Sequence, residues 1–246
     1  MRLKNVVRRA FLPPFQSLGR ALVRAGAVIR LYATDLACIR SGREVFAGVN
    51  FTVAAGEALL VVGRNGAGKS SLLRVLAGLI HPAAGKLVLE GGKPEFSIAE
   101  QAHYVGHQDA IRPALTVVEN LAFWARYLAS PGGPGMVPET SAAGPGADGT
   151  STATEAALEA LALTHLASLP AAYLSAGQKR RLALARIVAV PRPIWLLDEP
   201  TSALDTATQQ RLAELMRRHL TAGGIILAAT HGPIGLDGAQ ELRLGA

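Results

Sequence analysis

The chain has 246 residues, half of them hydrophobic, 17% charged, with a formal net charge of +7 and one cysteine. That length suits one or two domains with an ample core, and a lone Cys38 excludes an internal disulfide. The longest apolar runs, residues 58–62 and 225–229, are far below the roughly 20 residues a bilayer-spanning helix needs, so the expectation is a soluble or membrane-peripheral protein.

Residues 1–26 hold Arg2, Lys4, Arg8, Arg9, Arg20 and Arg24 and no acid. These are six of the 25 basic residues, so the rest balances at 19 basic to 18 acidic. The basic character therefore belongs to a tail, residues 1–27, and gives no reason to expect nucleic acid as a partner. Pro13 and Pro14 break the tail into two short pieces. It reads as a membrane-surface segment, as an Arg-rich targeting segment, or as a disordered or start-site extension ahead of a domain over 28–246. The tail lacks a signal-peptide apolar core, so secretion is not expected.

From residue 29 to 57 the pattern is short strands and turns. Val49, Phe51 and Val53 alternate with polar or small residues, as on a half-buried strand. The apolar run 58–62 then leads into Gly63-Arg64-Asn65-Gly66-Ala67-Gly68-Lys69-Ser70, and a helical pattern follows from Ser71. Strand, G-x-x-x-x-G-K-S loop and helix form a cradle for nucleotide phosphates. The glycines let backbone N–H groups approach the phosphates and the helix N-terminus adds partial positive charge. Lys69 is suited to reach the β- and γ-phosphates, and the Ser70 hydroxyl to hold Mg²⁺.

Residues 86–90 are a further strand candidate. Thr116 caps a helix to residue 128, with Glu119 as its capping-box partner. Residues 130–154, rich in glycine and proline, read as a mobile loop, before a helix over 155–163 and another over 177–189. Ile194–Leu197 is a fully apolar strand of the kind found inside a parallel sheet. A helix over 206–220 and a buried strand over 225–229 complete the pattern. Alternating strands and helices predict an α/β fold with a parallel sheet.

Four elements follow the phosphate loop. Asp198 ends the apolar strand, where α/β sheets bind ligands, and is suited to Mg²⁺. Glu199, next to it, is placed to deprotonate an attacking water. Leu174-Ser175-Ala176-Gly177-Gln178 opens a helix, with Ser175 either as N-cap or as a phosphate ligand. Ser202-Ala203-Leu204-Asp205 follows the acidic pair, and Thr230-His231 follows the last buried strand.

In this order the elements resemble the ATP-binding cassette (ABC) ATPases. Gly63–Ser70 is similar to their Walker A, with Ser71 beside it, and Ile194–Glu199 to Walker B with its catalytic base. Ser175, Ala176, Gly177 and Gln178 resemble the signature loop, Asp205 the D-loop acid, and His231 the switch histidine. Gln108 stands where the Q-loop glutamine is expected, a ligand of nucleotide and metal together with Ser70 and Asp198. The resemblance implies a P-loop NTPase-type parallel sheet core, a small N-terminal antiparallel β subdomain and an inserted α-helical subdomain over about 109–178. It implies ATP and Mg²⁺ as cofactors and a homodimer in which each phosphate loop faces the other copy's signature loop.

Two positions depart from the wider family. Ala176 replaces a glycine, and residues 38–43 hold no aromatic for adenine, leaving the Arg40 guanidinium as a candidate platform. The strings around His103–Trp124, Tyr173–Arg186 and 229–234 resemble the ATP-binding subunits of cytochrome c maturation haem exporters, in which that alanine is usual. The implied partners are integral membrane subunits of the CcmB and CcmC type at the cytoplasmic face of a bacterial inner membrane. Ile111, Leu115, Phe123 and Trp124 are candidates to line their docking groove. No direct haem binding is expected, because His103 and His107 lack an axial-ligand motif. The competing readings are the ATPase subunit of another ABC transporter, or a soluble, non-transport ABC ATPase such as an iron–sulfur assembly factor.

Overall fold

A computed structural model describes residues 28–129 and 148–245. The basic tail, and the Gly/Pro-rich stretch as far as residue 147, lie outside them.

Two long strands, β1 (Arg30–Arg40) and β2 (Arg43–Ala54), form an antiparallel hairpin. Its two-residue turn is Ser41-Gly42, both with positive φ (49° and 75°), the backbone a tight hairpin turn requires. β4 (Ala84–Glu90) joins the other side of β1, giving the order β2-β1-β4. Val49 and Val53 are buried on the inner face with Leu31, Leu36 and Cys38. Cys38 is thus a small core residue.

The second sheet is wholly parallel, in the order β5-β6-β7-β3-β8. Its strands are β3 (Ala58–Val62), β5 (Ala102–Val105), β6 (Ile194–Asp198), β7 (Ile225–Ala229) and β8 (Gln240–Arg243). Every residue of β6 and β7 is buried, because both faces are covered. Ile194, Leu196, Ile225 and Leu227 pack toward the antiparallel sheet and helix α1 (Lys69–Leu76). Trp195, Leu197, Ile226 and Ala228 pack toward the remaining helices. Alternate residues feeding two cores produce the unbroken apolar runs seen in the sequence.

Helices α2 (Val117–Ala129), α3 (Asp148–Ala160) and α4 (Ala176–Ala189) pack on one another, and α5 (Thr206–Thr221) lies against β7. At the start of α2, Thr116 N and Oγ1 donate to Glu119 Oε2 at 2.8 and 2.7 Å, and Glu119 N donates back to Thr116 Oγ1 at 3.3 Å. This is the expected capping box, and its hydrogen bonds hold the Glu119 carboxyl below the usual carboxylate range.

One expectation needs correction. The loop expected over 130–154 gives way to helix at Asp148, and α3 ends at Ala160 rather than Leu163. Thr154 is buried, and Ala157, Leu158 and Leu161 reach the core, so packing against α2 and α4 draws small polar residues into the helix against their weak propensity.

Candidate active site at the carboxyl edge of the parallel sheet

In the strand order β6-β7-β3, three neighbouring strands deliver their following loops to one edge. After β3 comes the phosphate loop. Gly63 lies so close to the last segment of the chain that a Cβ there would stand 2.5 Å from Leu244 O, while Leu244 N donates to Val62 O at 2.9 Å. Gly68, the N-cap of α1, has φ 98°, and a Cβ would stand 2.8 Å from Val45 Cγ1. Both positions need glycine for approach as well as for dihedral freedom.

Lys69 is 7% exposed. Its ammonium donates to Gly63 O at 2.9 Å and to Arg64 O at 3.4 Å, and stands 3.0 Å from His231 Nε2. Ser70 Oγ donates to Asp198 Oδ1 at 3.0 Å. Asp198 is 2% exposed at the end of β6, and Tyr104 Oη makes a long 3.5 Å contact with its other oxygen. Burial pushes the Tyr104 hydroxyl above its ordinary pKa, and the Arg74 guanidinium, 3.3 Å away, partly offsets this. Glu199 has φ 49° and its N–H donates to Ala229 O at 2.9 Å. Its carboxylate is 3.5 Å from His231 Nε2. The fold thus gathers Lys69, Ser70, Asp198, Glu199 and His231.

Other candidates lie apart from this group. Ser175 caps α4: Gln178 N donates to Ser175 Oγ at 3.3 Å, and Ser175 N donates to Gln178 Oε1 at 2.8 Å. Each side chain thus accepts from the other residue's backbone N–H, and Ala176 is exposed beside them. Gly177 abuts the turn after Glu199, where a Cβ would stand 2.8 Å from Ala203 O. Asp205 caps α5 by accepting from Thr208 N at 2.7 Å, and that bond, first among its causes, holds the carboxyl below its ordinary pKa. Gln108 is exposed on the bend after β5 and forms no hydrogen bond among the described residues. It borders a cavity of about 540 Å³ shared with Arg74, Tyr104, Trp124 and Arg186. Trp124 is the one candidate groove residue in that lining; Tyr127 and Leu79 line it too, while Ile111, Leu115 and Phe123 do not. The exposed Arg40 closes β1. His103 is buried with Nε2 2.6 Å from Val190 O, and burial pushes its pKa down to about 3.

Sequence reasoning missed Tyr104, Arg74 and, above all, Arg180. Arg180 is 4% exposed and bonds the backbone at both ends of the site. Its only signal was a basic residue two places beyond Gln178, which reads as an ordinary charged helix position.

The donor set fits a magnesium ion: a hydroxyl and a carboxylate, hard oxygen ligands already in contact. Among the described residues no group of three His, Cys, Asp or Glu is gathered, so further ligands would come from other side chains, phosphate oxygens and water. No helix among them is long and apolar enough to cross a membrane.

Comparison with known proteins agrees with this geometry. Residues 46–202 match the ABC transporter family. A "Cytochrome c biogenesis ATP-binding export protein CcmA" of Rhodopseudomonas palustris (strain BisB5) is 54% identical over 216 residues, 88% of this chain and 98% of that protein. The protein of the same description from Nitrobacter winogradskyi is 54% identical over 217 residues, with the same shares. The solved structure of an ATP-binding subunit of an ABC transporter superposes with a TM-score of 0.68 at 23% identity, covering 88% of each chain, which supports the fold. The chain belongs to the ABC transporter ATPases and, within them, to the cytochrome c biogenesis ATP-binding export proteins of the CcmA type.

Proposed function

We propose that this ATPase powers the haem-export or haem-chaperone-release step of cytochrome c maturation, working as a homodimer against CcmB- and CcmC-type subunits at the cytoplasmic face of a bacterial inner membrane. The observation that carries the ATPase chemistry is the Ser70–Asp198 contact beside the buried Lys69. Kinship with the CcmA proteins supports the haem-related step.

In this reading residues 28–246 act as one nucleotide-binding domain, with the helical segment over about 109–178 turned to the membrane subunits. The loop Gly63–Gly68 and the first turn of α1, Lys69 to Ser71, cradle the phosphates, with N–H groups and the helix dipole directed at them. The Lys69 ammonium exchanges its loop carbonyls for β- and γ-phosphate oxygens. Ser70, Asp198 and Gln108 are the residues that would hold Mg²⁺, which when bound neutralises phosphate charge. Glu199 accepts a proton from the attacking water, and His231, within reach of both Lys69 and Glu199, orients the γ-phosphate and that carboxylate. Ser175 and Gly177 serve the second copy's nucleotide: the N-terminus of α4 offers a hydroxyl and backbone N–H groups. ATP then favours the closed dimer and hydrolysis removes that bias.

The test is to purify the full chain from membranes with its partners and to assay ATP turnover. Membrane subunits that co-purify, turnover that depends on Mg²⁺, and loss of covalent haem attachment to c-type cytochromes on deletion are expected. A chain recovered only in soluble complexes would sink the transporter reading.

A further inference from the structure

We infer that Arg180 is a positioning residue for Glu199, and that it ties the Gln108 bend and the first turns of α4 to the orientation of that carboxylate. The inference rests on the role proposed above for Glu199. It starts from four hydrogen bonds made by one guanidinium. Arg180 Nη2 donates to Asp198 O at 2.7 Å and to Glu199 O at 2.8 Å. Nη1 donates to Gly106 O at 2.7 Å and to Asp109 Oδ1 at 3.2 Å.

The first two bonds matter because of where they fall. The carbonyls of residues 198 and 199 belong to the peptide planes on either side of the Glu199 Cα. Fixing both planes fixes the dihedral angles between them. Glu199 has φ 49°, a left-handed conformation that side chains with a Cβ disfavour, and such a conformation persists only where its surroundings over-determine it. Glu199 N, bonded to Ala229 O, supplies one restraint. Charge-assisted bonds from a guanidinium are about twice as strong as neutral ones, and the guanidinium that makes them here belongs to a residue only 4% exposed. The fork geometry of arginine, with donors on two separate nitrogens, lets one side chain serve two backbones at once.

The second pair of bonds gives the arrangement its reach. Gly106 and Asp109 flank Gln108, so the bend bearing that exposed glutamine is tied to the same guanidinium as Glu199. Arg180 itself lies in α4, which Ser175 caps. Three segments that sequence spacing holds far apart are therefore joined through one side chain, and a shift of the bend or of α4 moves the donors that hold Glu199 in place.

The full chain, assembled with its membrane partners, is the material for the test. In Arg180→Ala the turnover number is expected to fall at least tenfold, while ATP affinity stays within about twofold, because no phosphate contact is removed. Arg180→Lys, with one ammonium that reaches the Glu199 side but cannot span both, should recover part of the rate. If Arg180→Ala does not fold, Arg180→Gln keeps a neutral donor and carries the same expectation. A crystal structure of the folded variant should show Glu199 out of the left-handed region. Wild-type turnover in a folded variant, a parallel loss of ATP affinity, or an unchanged Glu199 φ would each overturn the inference. Normal turnover in Glu199→Gln would instead overturn the role of Glu199, and the φ measurement judges Arg180 independently of it.

Discussion

Ser70 Oγ and Asp198 Oδ1 are 3.0 Å apart although 128 positions separate them in the chain. The contact joins the first turn of α1 to the end of β6, and it brings together two of the protein oxygens that would hold a magnesium ion. Asp198→Asn keeps an oxygen to accept from Ser70 but removes the charge. Turnover of ATP should fall at least about tenfold, the loss that corresponds to roughly 1.4 kcal/mol of transition-state stabilisation, with the fold intact by circular dichroism. A near-normal rate at ordinary Mg²⁺ concentrations would mean that the metal is held elsewhere.

Glu199→Gln should abolish turnover and leave nucleotide binding in place, since an amide of the same shape cannot accept the proton of water. The proposed dimer should then persist with ATP bound, which gel filtration in ATP would register. Hydrolysis at the wild-type rate would assign the base to another group.

Gly177→Ala is expected to harm the protein although helix N-termini tolerate alanine. The added methyl would stand 2.8 Å from Ala203 O, a backbone atom in the turn after Glu199. Either α4 or that turn must move, costing about 1–3 kcal/mol as overpacking does and lowering turnover with it. Ala176, exposed one residue earlier, tolerates its own methyl. Unchanged melting temperature and unchanged turnover in Gly177→Ala would show the contact to be loose.

Acid should destabilise the fold through two buried histidines. His219 stacks on Trp195 with ring centroids 3.9 Å apart, its Nε2 is buried without a hydrogen-bond partner, and burial pushes its pKa down to about 4. His103 is pushed to about 3. Both pKa values are depressed on folding, so the unfolded chain binds more protons below the unfolded value of about 6.5. Their contribution is complete above that pH and is lost as pH falls toward 3–4; His219 alone accounts for something on the order of 3 kcal/mol. Denaturant unfolding at pH 7.5 and 4.5 would measure this, and His219→Phe should flatten the dependence. Equal slopes for wild type and variant would remove His219 as the cause.

Much of this architecture was legible in the sequence because its signals are local. The apolar run 225–229 matches β7 residue for residue, and Thr116 with Glu119 announced the start of α2. Strand β8 was not legible: Gln-Glu-Leu-Arg at a sheet edge carries one partly buried apolar residue, too little for a periodic pattern. The early start of α3 was hidden because Thr154 enters the core through packing with α2 and α4. The phosphate loop and its acidic pair could be read from spacing alone, whereas the hold of Arg180 on Glu199 depends on β5, β6 and α4 meeting in space.

The strand order β5-β6-β7-β3-β8 has a consequence for how the chain tolerates change. Loops leaving β3, β6 and β7 at the carboxyl edge are locked into one another by Lys69, Asp198, Glu199 and His231. At the opposite edge the turn before β3 meets β7 and the turn leading into it through two backbone bonds, Gly56 N to Gly224 O at 2.8 Å and Ile226 N to Glu57 O at 3.2 Å. An insertion scan of the gene should therefore split the molecule into two hemispheres. Extra residues at the amino edge would be absorbed, while even single insertions between 63 and 70, 198 and 205, or 229 and 232 would silence it.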